Sequence, residues 1–471
     1  MNIIARPFVY LVERFFPESF VFAIVLSVVV FFACIGMTDA GPVETMQAWG
    51  DGLAGLLAFM AQIALTVLCA HALAHTGPVS AGLSRLGRLP RNAWQAYALV
   101  TLVAGVASLF AWAFGLVVGA LLARQVAIEA KARGLRLHYP LLVASAYAGF
   151  VLWHMGYSGS APLFVATPGN EMEETIGGLI PVTETIFAPW NIATAVIGLI
   201  VVVTLMPLMR PKDGRDEIIE MSEVAVTDYR NEQERLEREL AENLGQAGEV
   251  PDASGTGVRT RPTVAQRLDG TRLLVLIPGL GLLAYLVHYF ATNGLSLTLD
   301  IVNWSFLCLG LLFSRSILHY IKLIANASGS VGQLLVQYPF YAGIMGMMAG
   351  TGFISVVSDW FTSISTASTL GFWAFLSAGL LNLFVPSGGG QWAIQGPIFI
   401  EAAQNLGTDP SRIVMGVAYG DQWTNMAQPF FAVPLLAVAG IHVRKIMGYT
   451  IMVLIVMFFI FGGGILLAGA G

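Results

Sequence analysis

Charge is what this sequence has least of. Only 11% of its 471 residues are charged while 56% are hydrophobic, whereas a soluble domain carries about 25% charged residues. With a mean hydropathy of +0.72, the chain reads as an all-α polytopic membrane protein whose first partner is the lipid bilayer. A net charge of -5 leaves no basic face, which excludes a nucleic-acid partner. Cysteine is nearly absent: Cys34, Cys69 and Cys308 are dispersed in apolar runs and form neither CxxC nor a metal-ligand spacing, so they read as small buried hydrophobes. No metal site is expected. Also lacking are HExxH, a P-loop, a strand-turn-helix GxGxxG and any nucleophile-base-orienter arrangement, which argues against an ATP-driven pump, against an enzyme, and for no cofactor beyond a coupling ion.

Long apolar runs are abundant. Runs able to cross about 30 Å of hydrocarbon occur near 18–37, 53–75, 141–166, 191–209, 272–292, 301–318, 331–350, 411–439 and 447–469, and 94–123 and 368–402 are too long for one helix. Their flanks set orientation, since short cytoplasmic loops are rich in Lys and Arg. Arg6 and Arg14 precede the first run, Asp39, Glu44 and Asp51 follow it, and Arg85, Arg88 and Arg91 follow the second. The N-terminus is thus expected in the cytoplasm, and Glu13, Pro17 and Glu18 argue against a cleavable signal. Continued along the chain, this count makes 94–123 enter and leave on one side, as two tight crossings or a re-entrant hairpin, and makes the hairpin-like 368–402 run enter from the opposite side. The expected architecture is an inverted-repeat transporter with about nine transmembrane helices and two re-entrant hairpins.

Its divisions are a first membrane repeat over 1–209, a cytoplasmic linker over 210–271 and an inverted second repeat over 272–471. The linker joins a Glu/Arg-rich piece, Asn231 to Glu242, to a Gly/Pro/Ser-rich piece, Gly245 to Pro262, and reads as a spacer. Self-similarity across it supports the repeat. Gln62 and Thr76-Gly77 recur as Gln337 and Thr351-Gly352, Leu109-Phe110 as Leu383-Phe384, and Ala146-Tyr147 and Pro162-Leu163 as Ala418-Tyr419 and Pro434-Leu435, in the same order.

The polar content is concentrated in four interruptions of these greasy runs. The second hairpin holds Ser387-Gly388-Gly389-Gly390-Gln391-Trp392, a later run holds Asp421-Gln422-Trp423-Thr424-Asn425, and an earlier one holds Gly156-Tyr157-Ser158-Gly159-Ser160. The first hairpin turns near Ala111 to Gly115. Irregular backbone at membrane depth survives only where it is buried or lines a cavity, and a half-helix starting there offers unpaired N–H groups to an anion. The candidate substrate-binding residues are therefore Ser158, Gly159, Ser160, Ser387, Gly388, Gly389, Gly390, Gln391, Trp392, Gln337, Trp423, Thr424 and Asn425, with Trp112, Trp153 and Tyr157 as further aromatic walls. No Lys or Arg lies in these stretches, so the anion is expected to be a small monocarboxylate, because a dicarboxylate or phosphate would call for an arginine fork.

Asp421 is the acid at the centre of a span, where a charge costs about 2.5–3.5 kcal/mol on insertion scales. It reads as a coupling-proton carrier, as a Na⁺ ligand, or as a cap bonded to Thr424 or Asn425. His154, one turn from Gly156, reads as a packing histidine or a proton relay. Symport is the expected mode; a Na⁺-coupled carrier and a passive anion channel are the alternatives, and the channel lacks the continuous polar pore it would need.

The motifs Ser158-Gly-Ser-Ala-Pro162, Thr167-Pro-Gly-Asn170, Gln337-Tyr-Pro-Phe-Tyr-Ala-Gly343, Pro386-Ser-Gly-Gly-Gly390, Ala418-Tyr-Gly-Asp-Gln-Trp423 and Asn425-Met-Ala-Gln-Pro429 together resemble the short-chain fatty acid transporter family of bacteria, the family of the acetoacetate/butyrate permease. The likeness covers nearly the whole chain except 210–271. It implies uptake of acids such as butyrate and acetoacetate across the inner membrane, by a member of the ion-transporter superfamily, and superfamily analogy implies a homodimer.

Overall fold

The computed structural model describes residues 19–211, 217–222, 226–227, 264–329, 331–383, 385–428 and 430–469. Arg6, Arg14 and most of the linker, including Asn231 to Glu242 and Gly245 to Pro262, lie outside the described residues. Among those described, every regular element is helical. The first half holds α1 (Ser19–Met37), α2 (Pro42–Gly52), α3 (Leu57–Ala74), α4 (Gly77–Gly87), α5 (Ala93–Phe110), α6 (Trp112–Ala132), α7 (Tyr139–Gly149) with a 3₁₀ turn (Phe150–Met155), α8 (Ser160–Ala166), α9 (Glu173–Ile176) and α10 (Pro189–Leu208). After α11 (Val264–Gly270) and α12 (Leu273–Asn293) come α13 (Leu299–Phe313), α14 (Ile317–Ser328), α15 (Gly332–Gly350), α16 (Phe353–Ile364), α17 (Leu370–Asn382), α18 (Gly388–Leu406), α19 (Pro410–Thr424), α20 (Ala432–Ala439) and α21 (Met447–Gly469).

Six of these helices, α3, α5, α6, α10, α12 and α21, are each long and apolar enough to cross a bilayer, and α15 with α16 form a pair bent by 79°. The two overlong runs break where hairpins were expected. The first turns through Ala111 alone, whose backbone is extended; the second turns before Ser387, the N-cap of α18. The arms of the first are 18 and 21 residues, so each is long enough to span by itself. Segments read from sequence as charged loops instead form α2, α4 and α14. Their charges share a helix with apolar positions, so one face stays outward while Leu83, Tyr320 and Leu323 are buried.

The two halves pack reciprocally. α2 lies on α15 as α14 lies on α3; α1 lies on α15 as α13 lies on α3; α4 meets α6 as α16 meets α18; and α8 meets α18 as α20 meets α6. Such exchanged contacts are what a pseudo-twofold relation between similar halves produces. The closest crossings match as well. A methyl on Gly149 would collide with the Gly105 nitrogen, and one on Gly420 would collide with Phe375 O and lie 2.7 Å from Gly379 N. Gly420→Ala is therefore expected to push α19 off α17 and to destabilise the protein by about 1–3 kcal/mol, read as a lower melting temperature in detergent. α12 has no counterpart in this scheme; it packs on α13 and is only 17% buried.

Candidate functional site

The four interruptions meet around one cavity of about 90 Å³. Trp112 comes from the first hairpin, Trp153 and Ser160 from the two sides of the first broken helix, Pro386 to Gly389 from the second hairpin, and Phe430 and Phe431 from the second broken helix. Ile63 on α3 and Leu334, Gln337 and Tyr338 on α15 complete the lining. Such a volume holds several water-sized groups, which suits a ligand of a few heavy atoms.

The two hairpin tips differ. At the first, the tip is closed by its neighbour: the Trp112 N–H donates to Ser158 Oγ at 3.1 Å and the Tyr157 N–H to Leu109 O at 2.7 Å. Gly156 permits this approach, since a methyl there would collide with Leu109 O. At the second, Ser387 caps its own helix by accepting from the Gly390 N–H at 3.3 Å, and Gly388 and Gly389 line the cavity. The first N–H groups of a helix have no intrahelical partner, so this turn is the candidate anion cradle. A methyl on Gly389 would lie 2.5 Å from both Phe59 Cε1 and the Tyr338 hydroxyl. That hydroxyl stands 3.5 Å from Ser387 Oγ.

Beneath the cradle lies the ionisable pair. Asp421 and His154 are both fully buried, with Asp421 Oδ2 2.7 Å from His154 Nδ1. His154 Nε2 accepts from the Ala161 N–H at 3.1 Å, which fixes the tautomer: Nδ1 carries the proton and donates to the carboxylate. The backbone N–H of His154 donates to Gln422 Oε1 at 2.9 Å. Asp421 Oδ1 is buried without a partner. A methyl on Gly388 would be 2.8 Å from His154 Cε1 and 3.2 Å from Asp421 Oδ2, so the cradle's backbone rests against the pair. Among the described residues no group of three or more His, Cys, Asp or Glu is arranged to hold a metal ion.

Of the residues nominated from sequence, Ser160, Gln337, Ser387, Gly388 and Gly389 line the cavity, as do Trp112 and Trp153. The others lie behind it. Gly159 lies against His154 O, and Gly390 against the Tyr341 ring. The Gln391 amide donates to Ala378 O at 2.7 Å and to Gln395 at 3.1 Å, holding α18 to α17. Trp392 is fully buried and packs over Gly396 beside Met172. Thr424 and Asn425 meet Asn382 at the end of α17, whose Nδ2 donates to Asp421 O at 2.7 Å and Asn425 Oδ1 at 2.8 Å and stands 3.0 Å from Thr424 Oγ1. Tyr147 donates to Asn425 O at 2.8 Å. These contacts brace the second broken helix against the second hairpin. Trp423 faces the opposite way, donating to Leu454 O at 2.7 Å and packing on Phe375 and Phe458.

Asp421 therefore pairs with His154 and is not a local cap for Thr424 or Asn425. Gln62 and Gln337, matched by the repeat, have diverged: Gln62 donates to Asp300 at 3.0 Å while Gln337 faces the cavity. Tyr338, Phe430 and Phe431 are lining residues that sequence reasoning did not single out. Tyr338 lies inside the Gln337 to Gly343 motif, and Phe430 and Phe431 directly follow the Asn425 to Pro429 stretch.

Comparison with known proteins decides the family. The model of the short chain fatty acid transporter family matches residues 1–468. The chain belongs to that family. It is 38% identical to a proposed short-chain fatty acid transporter of Escherichia coli (strain K12) over 96% of both chains. It is 36% identical to a like-named protein of Haemophilus influenzae over 94% of both. Among solved structures it resembles Neisseria gonorrhoeae MtrF, described as illuminating a class of antimetabolite efflux pumps, with a TM-score of 0.60 at 16% identity over 98% of this chain and 97% of that one. It also resembles the YdaH transporter of Alcanivorax borkumensis, TM-score 0.56 at 13% identity over 95% and 98%. At those identities the likeness is one of fold, and the YdaH structure is described as revealing an unusual topology. The chain is thus a multi-pass membrane protein of a short-chain fatty acid transporter family.

Proposed function

We propose that this protein takes up small monocarboxylates of the butyrate and acetoacetate type by proton symport, with the cavity opening alternately to either side as the two similar halves rock. The carboxylate sits on the first turn of α18, near Ser387 Oγ and the Tyr338 hydroxyl, and the short tail lies among Trp112, Trp153, Phe430 and Phe431. The observation that carries this reading is the contact of the cradle with the Asp421–His154 pair across Gly388. With Nδ1–H donated to an ionised Asp421, the pair has a net charge of -1. A second carboxylate about 8 Å away is repelled by about 2 kcal/mol at an effective dielectric of about 20. A proton on the pair removes that repulsion, so acid and proton favour each other's binding, and by linkage they do so equally.

The domain assignment follows the same scheme: residues 1–209 and 272–471 are the two repeats, 210–271 joins them on the cytoplasmic side, and the protein works in the inner membrane, with a homodimer as its assembly. Uptake of labelled butyrate and acetoacetate into proteoliposomes tests the mode of coupling. A pH gradient alone is expected to drive accumulation above that of empty liposomes, which report diffusion of the neutral acid. Accumulation that requires a Na⁺ gradient would place a cation at Asp421 and overturn proton symport.

A further inference from the structure

One indole joins the cavity to the ionisable pair. Trp153 lines the cavity, and the His154 imidazole stacks on it with centroids 4.1 Å apart and planes 14° from parallel. Its Cη2 would stand 2.6 Å from a methyl on Gly388. The same ring thus meets the space of the bound acid, the first glycine of the cradle, and the imidazole that bonds Asp421. Phe150 stacks against it at 5.9 Å and 13°, as residues three apart in a 3₁₀ turn eclipse one another. Its buried Nε1 has no hydrogen-bond partner, so the ring's position is set by what presses on its faces and edges.

We propose that Trp153 is a positioning residue that strengthens the coupling between occupancy of the cavity and protonation of the His154–Asp421 pair beyond their direct repulsion; this rests on the proton-symport reading. The face of an indole is the negative side of its quadrupole. It is repelled by a pair of net charge -1 and not by a neutral one. With the pair protonated, the ring is held on the imidazole and the space beside Gly388 stays open. With the pair deprotonated, that negative charge pushes the ring off the imidazole and into the space the acid needs. Close packing transmits the shift, since the ring has no void to move into except the cavity. Among the described residues, the titratable group beside the pair is Tyr338 on α15, behind Gly389; α6, α8 and α18 present Trp112, the Ala161 N–H and Gly388.

Equilibrium binding of labelled butyrate to the purified protein, at about pH 6 and about pH 8, reads the coupling as a ratio of two dissociation constants. The wild type is expected to bind about tenfold tighter at the lower pH, Trp153→Phe to keep that ratio within about twofold, and Trp153→Leu, which leaves the direct repulsion between the two carboxylates in place, to lower it by about threefold, whatever either variant does to the affinity itself. Should the leucine variant fail to fold, Trp153→Met, closer in volume and also without an aromatic face, is held to the same threshold. A leucine or methionine variant with the wild-type ratio overturns the role of Trp153 and leaves proton coupling standing. A wild-type protein whose affinity is the same at both pH values overturns proton coupling itself.

Discussion

Asp421→Asn is expected to abolish accumulation of butyrate driven by a pH gradient while leaving folded protein in the membrane. The side chains are nearly isosteric, and an asparagine Oδ1 can still accept from His154 Nδ1. What disappears is the group that titrates. Stability should not fall, because a buried carboxylate whose second oxygen has no partner is expensive to hold in the ionised form, and its neutral replacement removes that desolvation cost. His154→Ala is a different experiment. It strands Asp421 with neither oxygen partnered, and leaving one member of a buried pair uncompensated costs about 3–5 kcal/mol. Uptake into proteoliposomes, with a melting curve on the same preparation, separates the two outcomes. An Asp421→Asn protein that still concentrates butyrate against its gradient removes Asp421 from the coupling step.

Gly389→Ala is expected to weaken butyrate binding by on the order of 100-fold, equivalent to about 2.7 kcal/mol. The new methyl would be 2.5 Å from both Phe59 Cε1 and the Tyr338 hydroxyl. Neither ring has space to retreat, since Phe59 packs on Phe164 at 4.9 Å and Tyr338 on Tyr341 at 5.9 Å. The methyl therefore displaces the start of α18 and, with it, the N–H groups proposed to receive the carboxylate. Gly463→Ala is the control: nothing lies within 4 Å of a methyl there, and binding should match the wild type. Isothermal titration of the two variants checks both. Undiminished binding by Gly389→Ala would move the substrate away from the α18 turn.

Much of this architecture is visible in the sequence because lipid makes strict demands. Where the backbone leaves the helix inside an apolar run, each N–H and C=O must find a partner within the protein, so Gly156 to Ser160 and Pro386 to Gly390 stand out against their surroundings. The helix breaks and the self-similar blocks followed from that. The helical form of α2, α4 and α14 did not. They are amphipathic and short, and their charges, counted as loop charges, lie on the outward face of a helix. Within the site, residue type was legible and direction was not. Trp423 and Trp153 are both tryptophans beside polar motifs; only the packing of α19 on α21 turns one outward, and only the 3₁₀ turn brings the other over His154. The Asp421–His154 bond joins residues 267 apart in the chain, a pairing no local pattern encodes. Likewise Tyr338 enters the cavity because α15 presents two successive residues, Gln337 and Tyr338, to it.

The most direct test of the central claim is proton uptake on binding, measured with a pH indicator as butyrate is added to purified protein in weakly buffered solution near neutral pH. About one proton taken up per acid bound by the wild type, and none by Asp421→Asn, is the result expected when one pair beneath the cradle carries the coupling. Butyrate bound by the wild type with no change in proton occupancy would contradict it.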